Sequence, residues 1–263
     1  MSNLKYRKLL QIFNIIAFFL TLLVNGLSGL RIFNGNTIAD VSEDYENLFT
    51  PAGLTFSIWG VIYTFLLIFV FYQARDFLNR EQKNIECVEQ INVFFIISCI
   101  LNGLWIITWL YELILLSLIV MILLLFDLII IYLRLNIAKA DIDLRDKVIV
   151  WIPFSLYLGW ISVATVANTT VFLVSINWNG FGLSPLIWTL IVIIMLSVLT
   201  LTILYTRKDL VYPLVLIWTS IGIILRRIDI YFVLFISAIL VIVTIALNLG
   251  YFIVRKYVLK KKV

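Results

Sequence analysis

The chain has 263 residues, of which 63 % are apolar and only 13 % charged, with a mean hydropathy of +1.10. Soluble domains run nearer half apolar and a quarter charged, so this composition excludes a water-soluble globular protein. The net charge is +5 and histidine is absent, which removes the commonest general base and metal ligand and argues against ordinary hydrolytic or metal-dependent catalysis.

A membrane-spanning helix needs about 20 mostly apolar residues. Eight apolar segments approach or exceed that, at about 9–30, 51–73, 91–111, 113–133, 148–175, 184–205, 211–225 and 230–254. The first follows Lys5, Arg7 and Lys8. It is long for the apolar part of a signal peptide and lacks a small-residue cleavage site, so it reads as a retained helix. The connector at 31–50 is the longest, and the only conspicuously acidic one, with Asp40, Glu43, Asp44 and Glu46. It reads equally as a solvated link or as a lid. Thr50-Pro51 and Ser184-Pro185 each pair a capping hydroxyl with a proline suited to a first helical turn. Pro153 and Pro213 lie near segment starts, where a missing N–H costs little. Only Glu112 separates the third and fourth segments, which predicts a tight helical hairpin. The seventh is the shortest and is bounded by Arg226 and Arg227.

Cys87 falls in a charged connector and Cys99 in an apolar run, so no disulfide is expected. The basic residues gather in alternate connectors: Lys5, Arg7, Lys8; Arg75, Arg80, Lys83; Arg134, Lys139, Arg145, Lys147; Arg207, Lys208; and Arg255, Lys256, Lys260, Lys261, Lys262. Only Arg31, Arg226 and Arg227 of the 20 fall on the other side. The positive-inside rule then places both termini in the cytoplasm of a multi-pass plasma-membrane protein. The charges therefore answer to the lipid bilayer as partner, and no nucleic-acid partner is expected.

Eight tryptophans punctuate the chain. Trp151, Trp178 and Trp188 lie near segment edges, as an interfacial belt requires, but Trp160 lies near the middle of its segment. Asn102 and Asn168 lie at similar depth, and an amide in hydrocarbon must find a partner inside the bundle. Asn102, Trp105 and Trp109 follow an i, i+3, i+7 spacing; Tyr157, Trp160, Ala164 and Asn168 follow i, i+3, i+7, i+11; Phe56, Trp59 and Tyr63 form a third stripe. Helix–helix packing explains such stripes. So does a pocket of aromatic faces with a few amides and hydroxyls, suited to a flat apolar ligand. Asp127 is the one acid deep within an apolar run, and intramembrane carboxylates are by default candidates for proton or ion sites.

Three of these stretches resemble one family in order. Thr50-Pro51-Ala52-Gly53-Leu54-Thr55-Phe56-Ser57-Ile58-Trp59-Gly60-Val61-Ile62-Tyr63, Leu101-Asn102-Gly103-Leu104-Trp105 with Trp109, and Tyr157-Leu158-Gly159-Trp160 with Ala164 and Asn168 are similar to the second, third and fifth helix motifs of the TspO/MBR family. These are the tryptophan-rich sensory proteins related to the mitochondrial translocator protein. The resemblance covers about residues 9–175. It implies a five-helix bundle beneath the first loop that binds a porphyrin or other tetrapyrrole, or a synthetic aromatic ligand. Trp59, Tyr63, Asn102, Trp105, Tyr157, Trp160, Ala164 and Asn168 would line or support that pocket. The family's cholesterol-recognition pattern has no match after the fifth helix, so sterols are not implied.

The expected architecture is thus an all-α membrane protein: a TspO-like five-helix transmembrane bundle over 1–175, and a three-helix extension over 176–263 with a basic cytoplasmic tail. The expected function is a sensory or translocator-like protein binding a hydrophobic ring ligand, with no cofactor required and homodimer formation left open. The alternative is a small proton-coupled transporter or permease component using Asp127. An enzyme is the least favoured reading, because the chain lacks both histidine and a paired set of intramembrane acids.

Overall fold

The computed structural model describes residues 2–78, 86–227 and 231–257; Arg80, Lys83 and Lys260 to Lys262 of the charge pattern lie outside them. Among the described residues all regular structure is helical. The elements are α1 (Ser2–Gly29), α2 (Ile38–Asp44), α3 (Ile58–Leu78), α4 (Glu86–Ile91), α5 (Phe94–Leu110), α6 (Ile114–Arg134), α7 (Leu144–Asp146), α8 (Ile152–Ser175), α9 (Pro185–Arg207), α10 (Tyr212–Arg227) and α11 (Phe232–Tyr257). A 3-10 turn (Gly53–Ser57) leads into α3, and a π turn (Lys147–Trp151) joins α7 to α8.

Each of the eight apolar segments contains one long helix: α1, α3, α5, α6, α8, α9, α10 and α11. Six of the eight are long and apolar enough to cross a bilayer by length and composition; α5, with 17 residues, and α10, with 16, are shorter. Exposure follows the logic of a lipid solvent. Large apolar side chains such as Leu20, Ile194, Met195, Val198, Leu240 and Leu247 face outward, while Gln11, Asn14, Gln73, Asn102 and Asn168 are buried. With no water in the bilayer core, polar groups must satisfy one another inside. Gln11 Nε2 accordingly donates to Gln73 O at 2.7 Å, and Asn14 Nδ2 to Gln73 Oε1 at 2.8 Å.

The long helices run alternately up and down. Tyr6 near the start of α1 bonds Asn92 ahead of α5, whereas Asn34 beyond the end of α1 donates to Leu110 O at the far end of α5. The end of α9 meets the end of α11 through Tyr205 and Asn248. Both described chain ends therefore lie at one end of the bundle, and the 31–50 connector at the other.

Three local features depart from the sequence reading. The 31–50 connector is not all loop: it contains α2, opened by a capping box in which Asp40 N donates to Thr37 Oγ1 and Thr37 N to Asp40 Oδ2. Pro51 does not begin an α-helix. Ala52 N is drawn away to Gly222 O on α10 at 3.0 Å, and α3 starts only at Ile58, after the 3-10 turn. The third segment is split at Asn92, which takes a left-handed φ of 56° and accepts Val93 N on its own side chain. Other signals hold. Glu112 makes the α5–α6 hairpin with φ 55°, and Ser184 Oγ accepts from Ile187 N ahead of Pro185.

The packing crosses the expected division after residue 175. α10 lies against α8 so closely that a Cβ on Gly159 would meet Val215 Cγ2 at 2.8 Å. It also reaches the 3-10 turn, where Trp218 Nε1 donates to Thr55 O at 2.9 Å. α9 and α11 complete the outer layer on α10.

Candidate functional site

α3, α5 and α8 each carry a buried polar–aromatic face, and these faces meet. From α3 comes Trp59, stacked on Tyr63 one turn below (ring centroids 5.3 Å apart, planes at 16°). Around Trp59 stand Trp105 of α5 at 5.9 Å and, from α8, Tyr157 at 5.9 Å and Trp160 at 6.1 Å, the last two edge-on. Phe56 of the 3-10 turn closes on Trp160 at 6.0 Å, and Trp109 stacks on Trp105 at 5.9 Å. Edge-to-face and offset geometry is what ring quadrupoles favour. The cluster is thus a packed core in which rings fill the space between helices with one another.

Beneath the rings runs a hydrogen-bonded chain. Tyr63 Oη donates to Asn25 Oδ1 (2.8 Å) and lies 3.0 Å from Asn102 Oδ1; Asn25 Nδ2 donates to Asn102 Oδ1 (3.1 Å), and Asn102 Nδ2 to Tyr157 Oη (3.0 Å). A second set ties Trp105 Nε1 to Asn168 Oδ1 at 3.1 Å and Asn168 Nδ2 to Ser117 Oγ of α6 at 3.1 Å. Ala164 lies between Trp160 and Asn168 on the same buried face. All eight residues singled out from the sequence are therefore brought to one region. Asn25 was missed there, although it carries the same signal as Asn102: an amide within an apolar run.

Two donors in the cluster stand apart. The buried indole N–H groups of Trp59 and Trp160 have no acceptor among the described residues, although their rings touch. Unsatisfied buried donors are rare, and each calls for an explanation. Asp127, 5 % exposed on α6, likewise has an Oδ2 without a partner among the described residues.

The 31–50 connector covers this end of the bundle. Trp109 Nε1 donates to Ile38 O at 3.1 Å, and Tyr45 Oη to Glu112 Oε2 at 3.1 Å. On the opposite side two arginines of α10 hold it. Arg227, with a side chain 3 % exposed, reaches Asn47 O at 2.6 Å and Glu46 Oε1 at 3.2 Å; Arg226 reaches Pro51 O at 3.4 Å and Glu43 Oε1 at 3.7 Å. Hydrogen bonding from the Thr37 backbone N–H, with the Arg31 charge adding to it, holds the Asp40 carboxyl below the ordinary carboxylate value. Burial, then the bond to Glu112, raises the Tyr45 phenol.

No curated protein and no solved structure shows significant similarity to the chain. A family model described as TSPO-like protein, however, matches residues 11–251. That match runs through α9 and α10 and into α11, beyond the stretch in which the three motifs fall. The three aromatic stripes meet at one place in an all-α bundle of apolar helices, and this one family model spans them all: the chain belongs to the TSPO-like protein family of multi-pass membrane proteins.

Proposed function

We propose that the aromatic cluster is the binding site for a hydrophobic ring compound, a porphyrin or other tetrapyrrole, and that the protein acts as a membrane receptor or translocator for it. The observation that carries this reading is the pair of unpartnered indole N–H groups, on Trp59 and Trp160, at a ring contact of 6.1 Å. The packed rings must part to admit a ligand, which would then offer an acceptor to donors left unmatched among the described residues. The ligand would also gain apolar burial at about 25 cal/mol per Å². The Asn102–Tyr63–Tyr157 chain holds the ring walls in register, and the 31–50 connector is the lid. The basic residues described at the end bearing the termini support an orientation with both termini cytoplasmic in the plasma membrane.

Protoporphyrin IX titrated into the protein in lipid nanodiscs, followed by tryptophan fluorescence, tests the site. Saturable quenching weakened at least tenfold by Trp160→Phe and by Asn102→Ala is expected. Saturable quenching unchanged in both variants refutes it.

The Oδ2 of Asp127, unpartnered among the described residues, favours a second reading, proton-coupled transport, because a buried carboxyl group without a close cation is suited to exchange a proton. Substrate-driven proton movement in proteoliposomes, abolished by Asp127→Asn, would establish that reading; movement unaffected by the substitution eliminates it.

A further inference from the structure

A cavity lies away from the aromatic cluster. α10 packs on α8, and α9 packs on α10 and α11, so α8 and α9 diverge and leave a wedge at the end of the bundle that bears the 31–50 connector. The wedge holds a cavity of about 250 Å³. Its walls include Leu48 and Phe49 of the connector, Leu173 of α8, Trp178, and Trp188 and Val192 of α9. None of the eight cluster residues lines it.

The turn between α8 and α9 is built to hold these walls. Trp178 N donates to Leu173 O at 3.0 Å and Trp188 Nε1 to Gly180 O at 2.8 Å. Gly180 has a φ of +65°, and a Cβ there would meet the Trp188 ring at 3.2 Å, so glycine serves both the backbone and the close approach. The two indoles stand 5.0 Å apart with planes at 55°.

The chemistry of the lining selects the ligand. Among the described residues no charged side chain borders the cavity, so an ion would enter without compensation from them. Most polar lining groups are already engaged, the Asn179 amide nitrogen and the Trp178 indole N–H excepted. The hydroxyls of Thr170 and Thr189 donate to Ala167 O and Pro185 O on their own helices, and the Asn47 amide is used by Tyr45 O, Phe49 N and Thr50 N. Beyond those two donors, what remains is hydrocarbon and ring surface. The paired indoles with Phe49 reward an aromatic guest by ring contact that a saturated chain cannot collect. The volume falls just below the usual range of about 300–1,000 Å³ for ligand cavities, so only a small guest fits.

We infer that the α8–α9 wedge is a separate binding site for a small, neutral aromatic compound of one or two rings. Its floor is the Asn47–Phe49 strap, whose Asn47 carbonyl Arg227 holds, so occupancy is felt by the same connector that covers the aromatic cluster.

The probe is 6-propionyl-2-(dimethylamino)naphthalene, a neutral two-ring dye, added to the protein in nanodiscs and read by energy transfer from tryptophan, with empty nanodiscs as background. Wild type is expected to show a saturable component. Val192→Trp, which fills the cavity from a half-buried position, should weaken it at least tenfold while leaving the melting temperature within a few degrees. Trp160→Phe should leave it unchanged, which separates this site from the aromatic cluster. Absence of a saturable component in wild type, or its survival in Val192→Trp, overturns the inference. So does quenching of Trp178 and Trp188 by dibrominated phosphatidylcholine that the probe does not relieve, since a lipid chain would then fill the wedge.

Discussion

Gly222 of α10 sits where the C-terminal helices meet the residues leading into α3, and replacing it with alanine tests that junction. A Cβ there would lie 1.9 Å from Thr55 Oγ1 and 3.0 Å from both Pro51 Cβ and Thr55 Cβ. The hydroxyl can rotate away. The two Cβ atoms cannot, because they ride on the backbone, and carbon atoms need about 3.5–4.0 Å. α10 must therefore retreat by roughly half an ångström or more. That retreat stretches the 3.0 Å bond from Ala52 N to Gly222 O and the 2.9 Å bond from Trp218 Nε1 to Thr55 O. Overpacking of this kind costs about 1–3 kcal/mol, and a weakened hydrogen bond adds about 0.5–1.5 kcal/mol. At about 2–4 °C per kcal/mol for a chain of this size, the expected fall in melting temperature is roughly 5–10 °C. A thiol-reactive dye reads it directly, because Cys99 is buried and Cys87 half-buried until the fold opens. Gly103→Ala on α5 is the control. Nothing lies within 4 Å of its Cβ, so the same change should be neutral or raise stability by up to about 1 kcal/mol through helix propensity. Adding Thr55→Ala to the Gly222→Ala variant should leave most of the fall in place, because the Thr55 Cβ remains. A Gly222→Ala protein melting within 1 °C of wild type would refute the close packing of α10 on the 51–55 stretch.

Arg227→Ala removes two charge-assisted bonds to the connector. Glu46 is 66 % exposed on its side chain, so its share is small, and most of the loss comes from the Asn47 carbonyl. The expected effect is about 1.5–3 kcal/mol, with faster amide exchange at Phe49 and Thr50, and unchanged exchange there would contradict the clasp. Asp40, held below the ordinary value of 3.8 chiefly by the Thr37 backbone N–H, stabilises the start of α2 at all pH values above that figure. The contribution vanishes as pH falls through the lowered folded value, so Asp40→Asn should flatten the acid-side pH dependence of exchange at Thr37. The Cys87 thiol is pushed up to about 12 by burial. It should react with maleimide at pH 8 at least tenfold more slowly in the folded protein than after denaturation, and equal rates would show it to be solvated.

The eight long helices, their alternation and the membrane setting were legible in the sequence. The reason is that a bilayer leaves only length and hydropathy to satisfy, and every backbone bond is made within its own helix. The interior stripes were legible for a related reason: an amide such as Asn102 or Asn168 must face protein rather than lipid, and helical spacing then carries Trp105, Trp160 and Tyr157 to the same face. What the sequence left open depends on partners far apart in the chain. Nothing in the sequence singles out Trp218, yet its N–H is found on Thr55 O, 163 residues away. Arg226 and Arg227 read as a boundary charge pair until the fold sets them on the acidic connector. Pro51 reads as a helix start, yet α10 takes the neighbouring amide and delays α3 to Ile58. The sequence by itself determined how many apolar helices there are and which faces of α3, α5 and α8 turn inward, since both follow from local periodicity against lipid. Only the tertiary structure decided that α10 clamps the connector, that Trp59 and Trp160 keep unmatched donors, and that α8 and α9 part to leave a cavity, because close approach at Gly222 and Gly159 depends on shapes that meet only after folding.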